Sequence, residues 1–240
     1  MSKITPAGIV STLAGLAGSR GSADGAGPDA RFDRPSGIAV DRTGNVYVGD
    51  TYNFKIRKIS PAGVVSTLAG SGEPGNRDGD GASASFGACE YVSIGPPYPP
   101  ALMCYGLGLA ADEAGNVYVA DSGNHTIRKI TSVGTVSTLA GKAGSSGSAD
   151  GVGPEARFYS PQALAVDSSG NIHVADTMNY AIRKVAPTGS VQTTVGVAGR
   201  YGFIVGALPG GLAKALGIAV SGTSLYMTMW DGVAVVTDRP

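Results

Sequence analysis

The chain has 240 residues, 42% of them apolar, with 18 basic and 18 acidic side chains and a formal net charge of zero. A balanced charge excludes a strongly basic nucleic-acid-binding surface and a polybasic patch for membrane surfaces. No apolar run reaches the roughly 18 residues that a membrane-spanning helix needs, so membrane insertion is not expected. The first residues lack an apolar signal core, which leaves two alternatives: the protein is not exported, or its leader has been removed.

The predicted elements begin with a short β-type run at residues 9–15, which ends in the phrase Val-Ser-Thr-Leu-Ala-Gly. The phrase returns at residues 65–70 and 136–141, and a degenerate copy occupies residues 191–196. Between successive copies, three further runs rich in Val, Ile, Tyr and Thr recur in order, separated by turn sequences such as Asp-x-x-Gly-Asn. We name the four runs of each unit strands a to d. Four such strands repeated along a chain are typical of a β-propeller.

Strands b and c carry a recognisable motif, and its clearest copy occupies residues 115–129. This copy reads Gly-Asn-Val-Tyr-Val-Ala-Asp-Ser-Gly-Asn-His-Thr-Ile-Arg-Lys. The pattern resembles the NHL repeat, and the resemblance covers nearly the whole chain. It implies a β-propeller fold, which serves binding scaffolds and a few enzymes alike. Some members of the family are lyases that hold a metal through three histidines, which a chain with two histidines cannot reproduce.

The repeats predict a single propeller domain over residues 1–240, with four blades of four antiparallel strands. The predicted blades cover residues of about 32–70, 86–141, 158–196 and 216–237. The last blade has only strands a, b and c, and we expect residues 9–15 to supply its strand d, because this pairing removes two exposed strand edges. A closed monomeric ring is therefore expected, although NHL propellers more commonly have six blades. The alternative is an open ring that pairs with a second copy.

The long connections from strand d to the next strand a, of about 20 residues, share one face with the b-to-c turns, and rigid scaffolds usually carry function on such loops. The second of these connections has extra residues and is rich in Tyr and Pro. Tyr side chains are favoured at contact surfaces, so we select Tyr91, Tyr98, Met103 and Tyr105 as candidate ligand-binding residues. The expected partner is a protein segment or a glycan. The alternative is a lid that packs over the channel or over a neighbouring blade.

Both cysteines of the protein, Cys89 and Cys104, lie on this insertion. A disulfide between them would close a loop of about 15 residues. A disulfide favours an extracytoplasmic address, in the periplasm or outside the cell, for an exported bacterial protein. The alternative is a pair of reduced cysteines in the cytoplasm.

Acidic side chains end the b strands on the same face, at Asp50, Asp121 and Asp176, and an Asn follows each three residues later. We expect these carboxylates to cap turns. A ring of carboxylates at a channel mouth could instead hold a divalent metal. The spacing of Asp78 and Asp80 matches the first half of a calcium loop but lacks its final glutamate, which leaves weak calcium binding as the option there. No other cofactor is expected.

The sequence favours a non-enzymatic binding scaffold. It contains no phosphate-binding loop, dinucleotide fingerprint or nucleophile elbow. The Arg-Lys pairs at 57–58, 128–129 and 183–184 are expected to form ion pairs between blades or to lie at solvated strand edges. Two alternative functions remain at this stage. One is a propeller lyase or lactone hydrolase with a metal at the b-strand carboxylates, and the other is a purely structural module of a larger chain.

Overall fold

The computed structural model describes residues 1–93, 95, 97–202, 210–229 and 232–237. These residues form an all-β protein of antiparallel strands joined by turns and short 3-10 segments. Across the described ranges, no helix has the length and apolar character to cross a membrane. Of the predicted features, Pro96 of the insertion and residues 230 and 231 of the last blade lie outside the described residues.

The described strands form two hairpins and four sheets. The N-terminal hairpin contains β1 (Ser2–Ile4) and β2 (Val10–Thr12). The first sheet contains β3 (Gly25–Ala26), β4 (Ile38–Val40), β5 (Val46–Asp50), β6 (Lys55–Ile59) and β7 (Val64–Ala69). The second hairpin contains β8 (Cys89–Val92) and β9 (Ala101–Cys104). The second sheet contains β10 (Leu107–Ala111), β11 (Val117–Asp121), β12 (Thr126–Ile130) and β13 (Val136–Gly141). The third sheet contains β14 (Gly151–Val152), β15 (Pro161–Val166), β16 (Ile172–Asp176), β17 (Ala181–Val185) and β18 (Ser190–Val195). The fourth contains β19 (Ala215–Ser221), β20 (Ser224–Met229) and β21 (Gly232–Val236).

The first three sheets repeat one antiparallel topology, in which strands a to d are β4–β7, β10–β13 and β15–β18. Even the irregularities repeat, because the register between strands c and d shifts at the same place in each sheet, between an Ile and the following Arg. The sequence repeat is therefore a structural repeat, and the unit of four antiparallel strands matches the sequence prediction.

The turn between strands b and c is a 3-10 turn followed by a residue in the left-handed conformation. The left-handed residues are Phe54, His125 and Tyr180, with φ of 53°, 60° and 56°. Each donates its backbone N–H to the first residue of the turn, which reverses the chain into strand c. The repeat thus places a ring-bearing side chain at this position of each of the three turns.

The long loops cover the outer edges of the sheets. Gly25 of the first loop pairs with Val65 of β7, and Gly151 of the third loop pairs with Val191 of β18. In the second sheet, Gly79 forms a single bridge with Val136. An uncovered outer strand would present unpaired N–H and C=O groups, so this pairing protects the sheet edges.

The apolar core lies between successive sheets, and a central cavity lies where the inner strands meet. β10 contacts β4 and β15, and β15 contacts β19. These inner strands approach closely at glycines, since a Cβ at Gly37 would lie 2.1 Å from the carbonyl oxygen of Leu107. The same holds for Gly108 against the carbonyl oxygen of Gln162. The four inner strands line a cavity of about 420 Å3, whose walls are mainly Gly, Ser and aliphatic residues.

The expected pairing of residues 9–15 with the last blade is not formed. β2 pairs with β1 instead, and the fourth sheet contains three strands within the described residues. The reason is visible in the sequence, because residues 3–8 (Lys-Ile-Thr-Pro-Ala-Gly) nearly repeat residues 58–63 (Lys-Ile-Ser-Pro-Ala-Gly). The chain thus begins with the end of a c-type strand and the turn that joins it to β2. A β-propeller architecture is present, but the structure does not show a closed ring of four blades.

Candidate functional site

The insertion that precedes the second sheet forms the disulfide-bonded hairpin β8–β9. Cys89 lies directly opposite Cys104 in the register and forms the predicted disulfide with it. The disulfide closes the hairpin at its base, next to the second sheet. The predicted pairing of the two cysteines is therefore confirmed.

Three of the four predicted ligand-binding residues are exposed on this hairpin. Tyr91 and Tyr98 are both well exposed, and half of the surface of Met103 is accessible. Tyr91 lies opposite Leu102, whereas Met103 lies opposite Glu90. Because side chains alternate along a strand, Tyr91 and Met103 point to opposite faces of the ribbon. The hairpin brings these residues together but presents two surfaces rather than one.

The fourth predicted residue, Tyr105, supports the hairpin at its base. Its hydroxyl donates to the carboxylate of Glu90, and its backbone N–H donates to the carbonyl of Ala88 over 3.1 Å. Its ring lies against Gly123, where an added Cβ would come within 3.1 Å of the Tyr105 ring. The hydrogen bond to Glu90 and partial burial raise the pKa of Tyr105. Tyr105 therefore positions the hairpin, with its hydroxyl already engaged.

Tyr52, in the b-to-c turn of the first sheet, is a residue that the sequence prediction missed. Its hydroxyl donates to the carbonyl of Leu102 over 3.2 Å and accepts the N–H of Cys104 over 3.3 Å. The guanidinium of Arg34 donates to the same hydroxyl and lies 4.4 Å from the centre of the ring. The equivalent positions in the other two turns are Gly123 and Met178. The sequence therefore marks Tyr52 only as the one tyrosine among these three turn positions.

A shallow cleft and further aromatic rings continue this face of the molecule. The cleft, of about 480 Å3, lies between the hairpin and the neighbouring turns, and Phe54, Pro74, Ala88, Leu102 and Asn124 line it. Beyond it, the rings of His125 and Tyr159 meet edge to face with centroids 5.6 Å apart. We call the hairpin, Tyr52 and this cleft the aromatic face. Its chemistry is apolar contact area with a few hydroxyl groups, which suits the binding of a ligand rather than acid–base chemistry.

The b-strand carboxylates lie inside the protein, in contact with arginines. Asp50, Asp121 and Asp176 are fully buried. Asp176 accepts hydrogen bonds from the side chains of Arg183 and Asn179 and from the backbone N–H of Tyr159, all within 2.9 Å. Burial raises the pKa of Asp176 to about 6, while these donors act in the opposite direction. Tyr159, which donates its backbone N–H, lies in the preceding loop. The carboxylate therefore links that loop to the sheet and does not cap its own turn.

Each of these arginines also pairs with a loop carboxylate, so each of the first three units contains a carboxylate–guanidinium–carboxylate row. Arg128 contacts Asp121 on one side and Asp78 on the other, at 3.1 and 2.6 Å. Asp78 also accepts the backbone N–H and the hydroxyl of Thr138. The guanidinium lies 5.1 Å from the ring centre of Phe86. The prediction that these arginines form ion pairs between blades or lie at solvated strand edges was wrong. They are buried and pair with a carboxylate of the upstream loop, within their own unit.

The contacts of these carboxylates affect two of the predicted alternatives, a metal site and an enzymatic function. Asp78, which belongs to the calcium-like spacing, is held by Arg128 and Thr138. Within the ranges that the structure describes, no group of three His, Cys, Asp or Glu side chains is placed to hold a metal. A lyase or lactone hydrolase acting through Asp50, Asp121 or Asp176 would require those carboxylates to leave their arginines.

Fold and site define a propeller-type scaffold of repeated four-stranded sheets that presents a disulfide-bonded aromatic hairpin on one face. A family model for the NHL repeat matches residues 32–59 and 104–130. NHL repeat-containing protein 2 of Gallus gallus is 37% identical over 111 residues, which is 45% of this chain and 13% of that protein. The chain therefore contains NHL repeats at these two places. It spans between 9% and 13% of the length of the curated relatives that it matches.

Solved structures share the fold at low sequence identity. An auxiliary nutrient binding protein from Bacteroides ovatus superposes with a TM-score of 0.61 and 18% identity, over 86% of this chain and 49% of that one. A nidogen/laminin complex superposes with a TM-score of 0.56 and 16% identity, over 88% of this chain and 62% of that one. At these identities the similarity establishes the β-propeller architecture and nothing about the ligand.

Proposed function

We propose that this protein is a non-enzymatic binding module that recognises a protein segment or a glycan through its aromatic face. The observation that carries the proposal is the hairpin β8–β9. It exposes Tyr91, Tyr98, Leu102 and Met103 to solvent, while a disulfide and the hydroxyl of Tyr52 fix its base. Large side chains held in place before a ligand arrives lose little entropy on binding.

The chemistry of the face supports this ligand class. Tyr combines a flat apolar ring with a hydroxyl, which suits both stacking on sugar rings and packing against a peptide. The fold supports a binding role in two of its structural neighbours, whose names describe nutrient binding and a protein–protein complex. The disulfide supports an extracytoplasmic location, because such bonds persist in oxidising compartments.

The proposal is tested by screening the purified protein against an immobilised oligosaccharide array and a displayed library of extended peptides. Hits are then titrated against Tyr91→Ala and Tyr98→Ala. Truncating an anchoring aromatic is expected to weaken binding by about tenfold or more. The matched control is Val133→Ala, since Val133 is at least as exposed as the two tyrosines but lies in a c-to-d turn on the opposite face. Binding that survives both tyrosine changes would show that the hairpin is not the site.

A further inference from the structure

The hairpin β8–β9 has two outer edges, and a tyrosine covers the edge of β9. The N–H of Cys104 donates to the hydroxyl of Tyr52 over 3.3 Å, and that hydroxyl donates to the carbonyl of Leu102 over 3.2 Å. An antiparallel neighbour strand would pair with the same outward-pointing N–H and C=O groups. The hydroxyl of Tyr52 therefore takes the place of a neighbouring strand along β9.

The register shows which backbone groups of β8 point away from β9. Cys89 lies opposite Cys104 with Cα atoms 4.0 Å apart, which is the short spacing of a pair whose N–H and C=O groups point outwards. Such pairs alternate along an antiparallel ladder, so the next one is Tyr91 opposite Leu102. The contacts of Tyr52 agree, since they engage an outward N–H of Cys104 and an outward carbonyl of Leu102. Cys89 and Tyr91 therefore present their N–H and C=O groups at the outer edge of β8.

Within the described part of the chain, this outer edge of β8 is open. β8 has β9 as its one hydrogen-bonded neighbour strand, and Glu90, Tyr91 and Val92 are all exposed. Among the described residues outside the hairpin, none forms a backbone hydrogen bond with Cys89 or Tyr91. An open edge with unpaired N–H and C=O groups is a template on which an extended peptide can pair.

The side chains beside this edge form an apolar surface. Tyr91, Leu102 and the disulfide share one side of the hairpin, because side chains alternate along a strand. Cys89 and Leu102 also line the cleft, whose other walls include Phe54 and Pro74. Every second side chain of a strand added to β8 would lie on this side of the hairpin. An apolar side chain therefore fits there.

The same surroundings favour a peptide over a glycan. A sugar carries hydroxyl groups that need hydrogen-bond partners when they are buried. The side-chain amide of Asn124, in the wall of the cleft, already donates to the carboxylate of Asp121 over 2.9 Å and to the carbonyl of Gly75 over 2.8 Å. An extended peptide instead carries N–H and C=O groups at the two-residue spacing of Cys89 and Tyr91.

We propose, given a binding site on the aromatic face, that its ligand is an extended protein segment that adds a third strand at the outer edge of β8. The backbone of the segment pairs with the N–H and C=O groups of Cys89 and Tyr91. An apolar residue of the segment lies beside Tyr91. The residue next to it in the segment is basic, because it lies beside the exposed carboxylate of Glu90 and opposite charges attract across strands.

A synthetic pool of short peptides tests the class of ligand. The pool contains heptapeptides with Val, Leu, Tyr, Thr, Lys or Glu at each position, and mass spectrometry identifies the members that the full-length protein retains. We expect peptides with Lys next to Val, Leu or Tyr to be enriched about two- to fivefold over the same peptides with Glu in place of Lys. A pool from which nothing is retained would overturn the proposal.

Amide exchange, measured for each residue by NMR, tests the pairing itself. With the tightest peptide bound, the amide of Tyr91 should exchange about tenfold more slowly or less, because it gains a hydrogen bond. The amides of Glu90 and Val92 should change less, since the register already directs them to β9. Exchange at Tyr91 that is unchanged by the peptide would overturn the proposal.

A proline at position 91 separates the backbone contribution from that of the ring. Tyr91→Pro removes both the ring and the outward N–H, whereas the matched Tyr91→Ala removes only the ring. Tyr91→Pro should bind the peptide about three- to tenfold more weakly than Tyr91→Ala, and equal affinities would contradict the pairing. Circular dichroism and an intact Cys89–Cys104 bond verify the fold. Independently of any variant, N-methylation of the peptide, one residue at a time, should weaken binding at every second position.

Three further outcomes separate this proposal from the proposed function. A peptide or glycan that protects Tyr98 but leaves exchange at Tyr91 unchanged would overturn strand addition and leave the aromatic face as the binding site. Absence of binding from both the peptide pool and the oligosaccharide array would overturn both. Exchange at Tyr91 that slows with protein concentration, without peptide, would show that a second copy covers the edge and would also overturn the proposal.

Discussion

At the residue scale, the repeated arginine is among the largest fully buried side chains in each of the first three units. Arg57, Arg128 and Arg183 are fully buried, and each lies between a buried b-strand carboxylate and a loop carboxylate. The row joins strand b, strand c and the preceding loop. In the fourth sheet, Met229 and Ala234 hold the positions of the carboxylate and the arginine and pack in an apolar cluster. That sheet therefore replaces the ionic row by apolar contact.

Replacing one of these arginines should destabilise the protein strongly. Arg128→Leu leaves Asp121 buried without its countercharge, and breaking a buried ion pair in this way costs about 3–5 kcal/mol. Urea unfolding followed by circular dichroism measures the change. The neighbouring Lys129→Ala is the control, and a loss under about 1 kcal/mol is expected there because the side chain is partly exposed. Equal losses in the two variants would contradict this account of the arginine.

Asp41, in the a-to-b turn, should make stability depend on acid pH. Burial acts to raise its pKa, but hydrogen bonds from Asn45, Thr43 and Tyr47 outweigh it and hold the pKa well below the usual 3.8. A carboxyl group whose pKa is lower in the folded state contributes stability above its unfolded pKa, and this contribution is lost as the pH falls. Asp41→Asn should therefore be less stable than the wild type at pH 7, and the difference should shrink below about pH 4. Thermal unfolding across this range measures it, and a difference that stays constant down to pH 2 would contradict the assignment.

At the element scale, the hairpin β8–β9 extends from the sheets and depends on its base contacts for order. The disulfide and the hydrogen bonds of Tyr52 hold the β9 side, and Tyr105 holds the chain that leaves it. Neither strand belongs to one of the four sheets. The order of the residues proposed to bind ligand therefore depends on local contacts.

Removing the disulfide should loosen the hairpin without unfolding the sheets. Closing a 15-residue loop contributes about 3 kcal/mol, so Cys89→Ser/Cys104→Ser should speed hydrogen exchange in residues 89–104 by about a hundredfold. Exchange in β11 and β12 should be unchanged. Exchange that accelerates equally in the hairpin and in those strands would show that the disulfide stabilises the whole fold.

Much of this organisation was predictable because the repeat is explicit. Strands a to d, their order and the Cys89–Cys104 bond followed from spacing and composition. β1 was missed because it is only three residues long. β3 was missed because a strand of two residues, one of them glycine, shows no periodic pattern in the sequence. The burial of Arg57 could not be deduced, since its loop partner Asp24 lies 33 residues upstream and nothing local indicates that the loop folds back over the sheet.

At the scale of the whole molecule, the described residues form an N-terminal hairpin, three sheets of four or five strands and a three-stranded fourth sheet, which follow one another along the chain. Each unit buries its apolar surface against the next, which is how repeat architectures are stabilised. The first and second sheets also support the base of the hairpin, through Tyr52 and Tyr105.

Ligand binding on the aromatic face can be tested by hydrogen exchange of the free and the ligand-saturated protein. The ligand is the tightest hit from the oligosaccharide and peptide screens, and both samples are measured at the same protein concentration. We expect protection that is confined to residues 89–104 and the turn around Tyr52. Protection centred on the cavity-lining residues Gly108, Gln162 and Leu164, with the hairpin unchanged, would contradict the account and place the site in the central cavity instead.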